Sequence, residues 1–162
     1  MDDQRLLTSF RFRVDLEPSP FDGVESLRSA RGAFAEVQGL EIGVEVVSFR
    51  EGGYNLGPRQ LLGKATSQPL VLKRGLSLDT GFWQWLQRCS DGRYPLPYVN
   101  GTVRCFPAAG DPMGGEGPQA AWAFVNAIAT KVSAPPLNAR QSHEVPLEEL
   151  HLVHEGLTRL LT

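Results

Sequence analysis

The sequence predicts a mainly β fold, an antiparallel barrel or sandwich, with a single flanking α-helix. Short runs of alternating apolar and polar residues recur along the chain, glycine and proline clusters separate them, and only one stretch carries the helical period. Helix and strand therefore do not alternate, which argues against a βαβ architecture. With 162 residues and 41% hydrophobic content, the chain suits one domain spanning residues 1–162, large enough to bury roughly 70% of its unfolded surface.

The first element is the run Phe10, Phe12, Val14 and Leu16 alternating with Arg11, Arg13 and Asp15, the period of a strand with one buried face. Residues 17–31 hold Pro18, Pro20 and Gly23 and form an irregular excursion, with a short helical turn predicted over 24–30. Two runs, 34–37 and 42–49, separated by Gln38-Gly39, are expected to pair with one another. The segment 50–67 contains Gly52, Gly53, Gly57 and Gly63 yet also Tyr54, Leu56, Leu61 and Leu62, and is expected to be a long loop with a task outside the core.

Strand signal resumes at 69–73, with Leu70 and Leu72 on one side. The helix follows: Ser77 or Asp79 can cap it, Phe82, Leu86 and Cys89 fall at i, i+4 and i+7, Trp83 and Trp85 widen the stripe, and Gly92 can end it. Residues 98–106 and 120–131 read as a hairpin with a long tip over 107–118. The last strand is placed at 144–154, with a bulge near Glu148-Glu149 and a stop at Gly156. The sum is six to eight strands and one helix.

Composition assigns no partner. The formal net charge is −2, and no long like-charged run marks a nucleic-acid or membrane-surface segment. Two cysteines, Cys89 and Cys105, are too few for a disulfide scaffold, so they are expected to be core thiols of a protein folded in a reducing compartment. Residues 1–9 are polar and acidic where a signal peptide would be basic and then apolar, and no stretch of about 18 apolar residues occurs. Folding in the cytoplasm is expected, with export only inside an assembly or by lysis.

Catalytic patterns are thin, and no catalytic, cofactor-binding or metal-ligating residue is assigned. His151 and His154 are three apart, a spacing that sends strand side chains to opposite faces, and neither they nor His143 gain the carboxylate or thiol partners of a metal site. The glycines of 50–53 and 110–117 lack the order of a phosphate loop. Ser90-Asp91 and Ser142-His143-Glu144 hold triad residue types only as chain neighbours. The Phe82, Trp83, Trp85 group has the spacing of core side chains rather than of a ligand platform.

Several short strings occur in one order along most of the chain: Phe10-Arg11-Phe12-Arg13-Val14, Glu36-Val37-Gln38-Gly39-Leu40, Arg50-Glu51-Gly52-Gly53, Leu70-Val71-Leu72-Lys73-Arg74-Gly75, Phe82-Trp83-Gln84-Trp85, Phe124-Val125-Asn126-Ala127, Leu137-Asn138-Ala139 and Leu152-Val153-His154-Glu155-Gly156-Leu157. With these the chain resembles the tail tube proteins of contractile-tailed phages and of extracellular contractile injection systems, to which the Hcp proteins of type VI secretion are related. The excursion 17–31 and the tip 108–118 depart from the usual pattern.

The resemblance implies a β-barrel with a flanking helix, assembled as hexameric rings that stack into a hollow tube delivering cargo or DNA. Implied partners are further copies of the chain, sheath and baseplate proteins and a tube cap or terminator, with no direct membrane binding. Assembly in the bacterial cytoplasm and action within a phage virion or an injection particle are implied as well. Alternatives of the same fold are a tube-initiating ring at the baseplate and an Hcp-like carrier that does not polymerise. A stacked ring needs adhesive surface beyond the core. Tyr54, Asn55, Leu56, Arg59, Gln60, Leu61 and Leu62 are the candidates for that contact. Lys73 and Arg74 are candidates for an inter-subunit ion pair, and Arg11, Arg13 and Asp15 for the polar lumen wall.

Overall fold

The computed structural model describes residues 11–18, 34–107, 117–137 and 145–161. Phe10, the turn predicted over 24–30, most of the tip at 108–118, and His143 lie outside the described residues. Every strand ladder is antiparallel.

The strands are β1 (Phe12–Pro18), β2 (Phe34–Gln38), β3 (Ile42–Phe49), β4 (Arg59–Ser67) and β5 (Leu70–Gly75), followed by helix α1 (Gly81–Ser90) and then β6 (Val99–Cys105), β7 (Ala120–Ser133), β8 (Leu147–Val153) and β9 (Gly156–Leu160). Seven of them form one sheet in the order β1-β6-β7-β8-β5-β2, with β9 also on β7, while β3 and β4 make a separate two-stranded ribbon. The expected pairing of 34–37 with 42–49 is therefore corrected. Strand β2 pairs β5, and β3 pairs β4.

The large sheet folds over itself because β7 turns a corner. Its first half pairs β6 and β9, and its second half pairs β8. At the corner Asn126 adopts φ 51°, a left-handed conformation that asparagine tolerates better than most side chains. Its N–H donates to Asn100 Oδ1 at 2.9 Å and its Nδ2 to Glu155 Oε2 at 2.6 Å. The return strand breaks at the same level, between Val153 and Gly156. Gly156 thus opens β9 instead of ending the sheet.

Apart from β3, whose alternation is not matched by burial, the strands that alternate in sequence bury their apolar face. Val14 and Leu16 of β1, Leu70 and Leu72 of β5, Val99 and Val103 of β6 and Leu150 and Leu152 of β8 are buried, joined by Phe124, Ala127 and Leu157. Strand β8 alternates without a bulge, in register with β5 from Leu147 to Leu152. The irregularity expected at Glu148-Glu149 is absent because Glu148 belongs to the inner face, where Arg74 meets it. Register shifts lie instead in the β2–β5, β3–β4, β6–β7 and β7–β8 ladders.

Helix α1 packs against β7 and closes the core with Phe82 and Trp85. Phe82 stacks on Phe34 with ring centroids 6.0 Å apart, and Trp85 Nε1 donates to the carbonyl of Pro97 at 2.8 Å. Thr80 holds the N-cap position, with the neighbouring Asp79 carboxylate accepting the Gly81 N–H at 2.9 Å. Gly92, at φ 61°, ends the helix as its position suggested. Cys89 and Cys105 are free and half-buried; burial raises both thiols above their ordinary pKa, against opposing backbone hydrogen bonds at Cys89.

Candidate assembly interface

The chain leaves β2 through Gly39 and returns to β5 through Pro69. Gly39 has φ 86°, and a Cβ there would run into the Pro69 carbonyl, so the two legs meet backbone to backbone and only glycine fits. Between these legs β3 and β4 project as an arm. The sequence suggested a loop over 50–67, but only 50–58 is one. Residues 59–67 are strand β4, laddered to β3.

Every residue of β3 and β4 is exposed. Many of the side chains are nevertheless apolar, with Leu62 at 82% and Leu56, at the tip, at 88% exposure. Strand β3 keeps its period, so Ile42, Val44, Val46 and Ser48 share one face, and Glu45, Val47 and Phe49 the other. Cross-strand partners assign Ala65, Leu62 and Gln60 to the first face and Leu61 and Arg59 to the second. Ser48 Oγ donates to Gln60 Oε1 at 3.0 Å, consistent with that assignment.

The tip is folded on itself. The Tyr54 N–H donates to the Glu51 carbonyl at 3.2 Å, Arg59 is paired with Glu51, and the Arg59 guanidinium lies 4.8 Å from the Tyr54 ring centroid. Tyr54 and Leu56 are thereby held at the end of a formed ribbon, beside Asn55. Arg59, Gln60, Leu61 and Leu62 lie on β4. The apolar side chains of β3 were missed as surface because its alternation resembles that of a core strand. Adjacent Val46 and Val47, one on each face, were the available sign.

Lys73 and Arg74 diverge. Lys73 Nζ lies 3.1 Å from Glu36 and 3.7 Å from Glu149. Glu36, bonded by Gln38 and then Lys73, is held below the usual carboxylate range, and Lys73 is raised by its bond to Glu36 against the opposing effect of burial. Arg74 is 2% exposed. Its Nε donates to Glu148 at 2.8 Å, its Nη1 to Asp79 at 2.8 Å and its Nη2 to the Asp79 carbonyl at 2.9 Å, while its guanidinium lies 3.7 Å from the Phe82 centroid. Glu148 also accepts from Trp83 Nε1 at 2.6 Å. Arg74, expected at a subunit contact or a solvated strand end, is instead enclosed within its own subunit, because the alternation of β5 turns it to the same face as Leu70 and Leu72.

The lumen candidates sit on and beside β1. Asp15 is buried between Arg13, whose Nε lies 3.0 Å away, and Arg104, whose Nη1 lies 2.9 Å away. Arg11 Nη1 donates to the Pro107 carbonyl at 3.4 Å. Asp15 is therefore a charge-balancing partner in a cluster more than an open wall group. His151 lies 3.4 Å from Glu149, whereas His154 is buried near Phe124 and neither ring nitrogen has a hydrogen-bond partner among the described residues. Among the described residues no group of three His, Cys, Asp or Glu side chains could hold a metal ion, and no helix is long and apolar enough to cross a membrane.

Residues 8–158 match the family model of the T4-like virus tail tube protein gp19. The chain belongs to this family. Tail tube membership covers the sheet, α1 and the arm together. Among curated proteins nothing matches by sequence. Solved structures share the tail tube fold. A chain of the PVC sheath–tube complex of an extracellular contractile injection system, in its extended state, has TM-score 0.76 at 18% identity, covering 99% of this chain and 95% of that one. One from the anti-feeding prophage baseplate has TM-score 0.75 at 22% identity, with 96% of each chain covered. An Hcp protein has TM-score 0.61 at 14% identity, with 91% of each covered.

Proposed function

We propose that this tail tube protein is the repeating subunit of the inner tube of a contractile tail or injection particle, forming hexameric rings that stack through the β3–β4 arm. The observation that carries the reading is the arm itself. A two-stranded ribbon is marginal alone in water, and contiguous exposed apolar surface marks an interaction site. Burying one such side chain contributes about 1.5–3 kcal/mol, so several together can offset the cost of ordering subunits. The resemblance to tube, baseplate and Hcp chains supports the same reading.

In this proposal the contact residues are Tyr54, Asn55, Leu56, Arg59, Gln60, Leu61 and Leu62, with the β3 side chains added, and Lys73 at the rim. Arg74 serves the fold. Arg11, Arg13 and Arg104 line the wet lumen through which cargo or DNA passes, with Asp15 as the buried carboxylate that balances the charge of Arg13 and Arg104. Sheath, baseplate and a cap or terminator bind the outside and ends, and assembly takes place in the cytoplasm. The role is structural, without catalysis.

Image averaging of particles assembled from purified protein tests this: sixfold symmetry around a hollow centre is expected. Because assembly stabilises only folded subunits, the apparent melting temperature rises with protein concentration. A filled or non-sixfold particle, or a monomer with a concentration-independent melt, refutes the reading.

A further inference from the structure

We infer that the outer face of the half-sheet formed by β1, β6, the first half of β7 and β9 binds an acidic, amphipathic helix of another protein, in preference to nucleic acid. The inference rests on the proposed reading of this face as the lumen wall, where that protein is cargo, and names the chemistry the wall accepts. Register carries one row of side chains straight across the four strands. Arg13 lies opposite Arg104, Arg104 opposite Ala121, and Ala121 opposite Leu160. Their neighbours Val14, Val103 and Leu157 are buried in the core on the other face. The row is thus basic at one end and apolar at the other, with a small side chain between.

Like charges set directly opposite across two strands repel. Here one buried carboxylate, Asp15, serves both guanidinium groups: Arg13 donates to it through Nε and Arg104 through Nη1. Arg11 stands two residues before Arg13 on the same face, and Glu17 lies away from the cluster, opposite Asn100. The Arg13 and Arg104 side chains stay 33% and 39% exposed, so a further carboxylate reaches them and forms charge-assisted bonds. At the other end Leu160 is exposed, and so is Leu161 after it. A nucleic-acid backbone offers phosphates to the arginines but nothing to the leucines, whereas a protein segment serves both. Arg104 and Leu160 are two strand spacings apart, about 10 Å, close to the roughly 11 Å of two helical turns. A helix laid along the row sets a carboxylate on Arg104 and, about seven residues away, an apolar side chain on Leu160.

The test titrates purified full-length protein into a fluorescent helical peptide carrying Glu and Leu about seven residues apart. Controls are the same peptide with Gln or Lys in place of Glu, and a labelled double-stranded oligodeoxynucleotide. The Glu peptide is expected to bind about tenfold or more tightly than any control, and to weaken as salt rises. Equal binding of the Gln or Lys peptide overturns the inference, and equal or tighter binding of the oligonucleotide shows a nucleic-acid surface instead. R13Q, D15N and R104Q together remove the cluster without stranding a buried charge, and L160S alters the apolar end. Each change is expected to cost about tenfold in affinity for the Glu peptide with circular dichroism preserved, and unchanged affinity in either folded variant overturns the inference. The peptide comparison needs no variant, so it decides the case even where a substitution disturbs the fold. Averaged images of assembled particles with peptide bound separate this inference from the lumen reading: density in the hollow centre supports both, while arginine-dependent density on the outside overturns the lumen reading and leaves the binding face standing.

Discussion

Arg74 and Glu148 face each other directly across the β5–β8 ladder, joined Nε to Oε2 at 2.8 Å with each residue 2% exposed. Removing one partner leaves a buried charge without its counterpart, a loss of about 3–5 kcal/mol. E148A and R74A are each expected to lower the urea midpoint strongly. Joint replacement by methionine and leucine, which removes both charges, should cost clearly less than either single change. Equal losses in all three variants would contradict the account.

Asp79 adds a pH dependence to the same cluster. Burial raises its pKa, but the Gly81 N–H and Arg74 outweigh burial and hold it below its ordinary value of 3.8. A folded value beneath the unfolded one means that the contribution is complete above the unfolded value and is lost as pH falls through the folded one. The parent protein is thus expected to exceed D79N in stability at neutral pH, with the gap closing on acidification. Thermal melts across the acid range decide it, and a constant gap counts against the assignment.

At the β7 corner, N126A is expected to cost about 1–2 kcal/mol, since alanine bears left-handed strain and loses the bond to Glu155. N126G, which relieves the strain, should lose less. Denaturation curves of the two variants give the comparison, and the reverse order would show that the corner is held by other means.

Replacing Tyr54, Leu56, Leu61 and Leu62 together with serine should leave circular dichroism and melting cooperativity unchanged while removing long tubes from micrographs. These side chains are exposed in the single subunit, with Leu61 and Leu62 lying across from Val47 and Val46 of β3 within the arm, so their loss is expected to be felt on assembly. Loss of the fold would show the arm to be part of the core.

The sequence was legible where one face of an element is buried. Val14 and Leu16, Leu70 and Leu72, and the Phe82 and Trp85 stripe all display the period of their element, because burial filters one face and water the other. That filter does not operate on the arm within one subunit. Residues 59–67 therefore lacked a readable alternation and passed for loop, while 42–49 passed for a core strand. Glu148 misled for a related reason. A carboxylate in an inward position looks like a bulge until Arg74, far away in sequence, supplies its partner. The surplus of apolar side chains at Tyr54, Leu56, Leu61 and Leu62 was visible as surplus, but the ribbon that carries them was not.

The corner in β7 bears on mechanics. A single strand runs through both halves of the folded sheet, laddered to β6 and β9 before Asn126 and to β8 after it. Sliding one half over the other would have to break a run of backbone hydrogen bonds, because the halves are joined by covalent chain as well as by side-chain packing. Axial load entering a subunit at one half therefore passes to the other along peptide bonds, so the wall resists shear as a continuous shell rather than as two stacked plates.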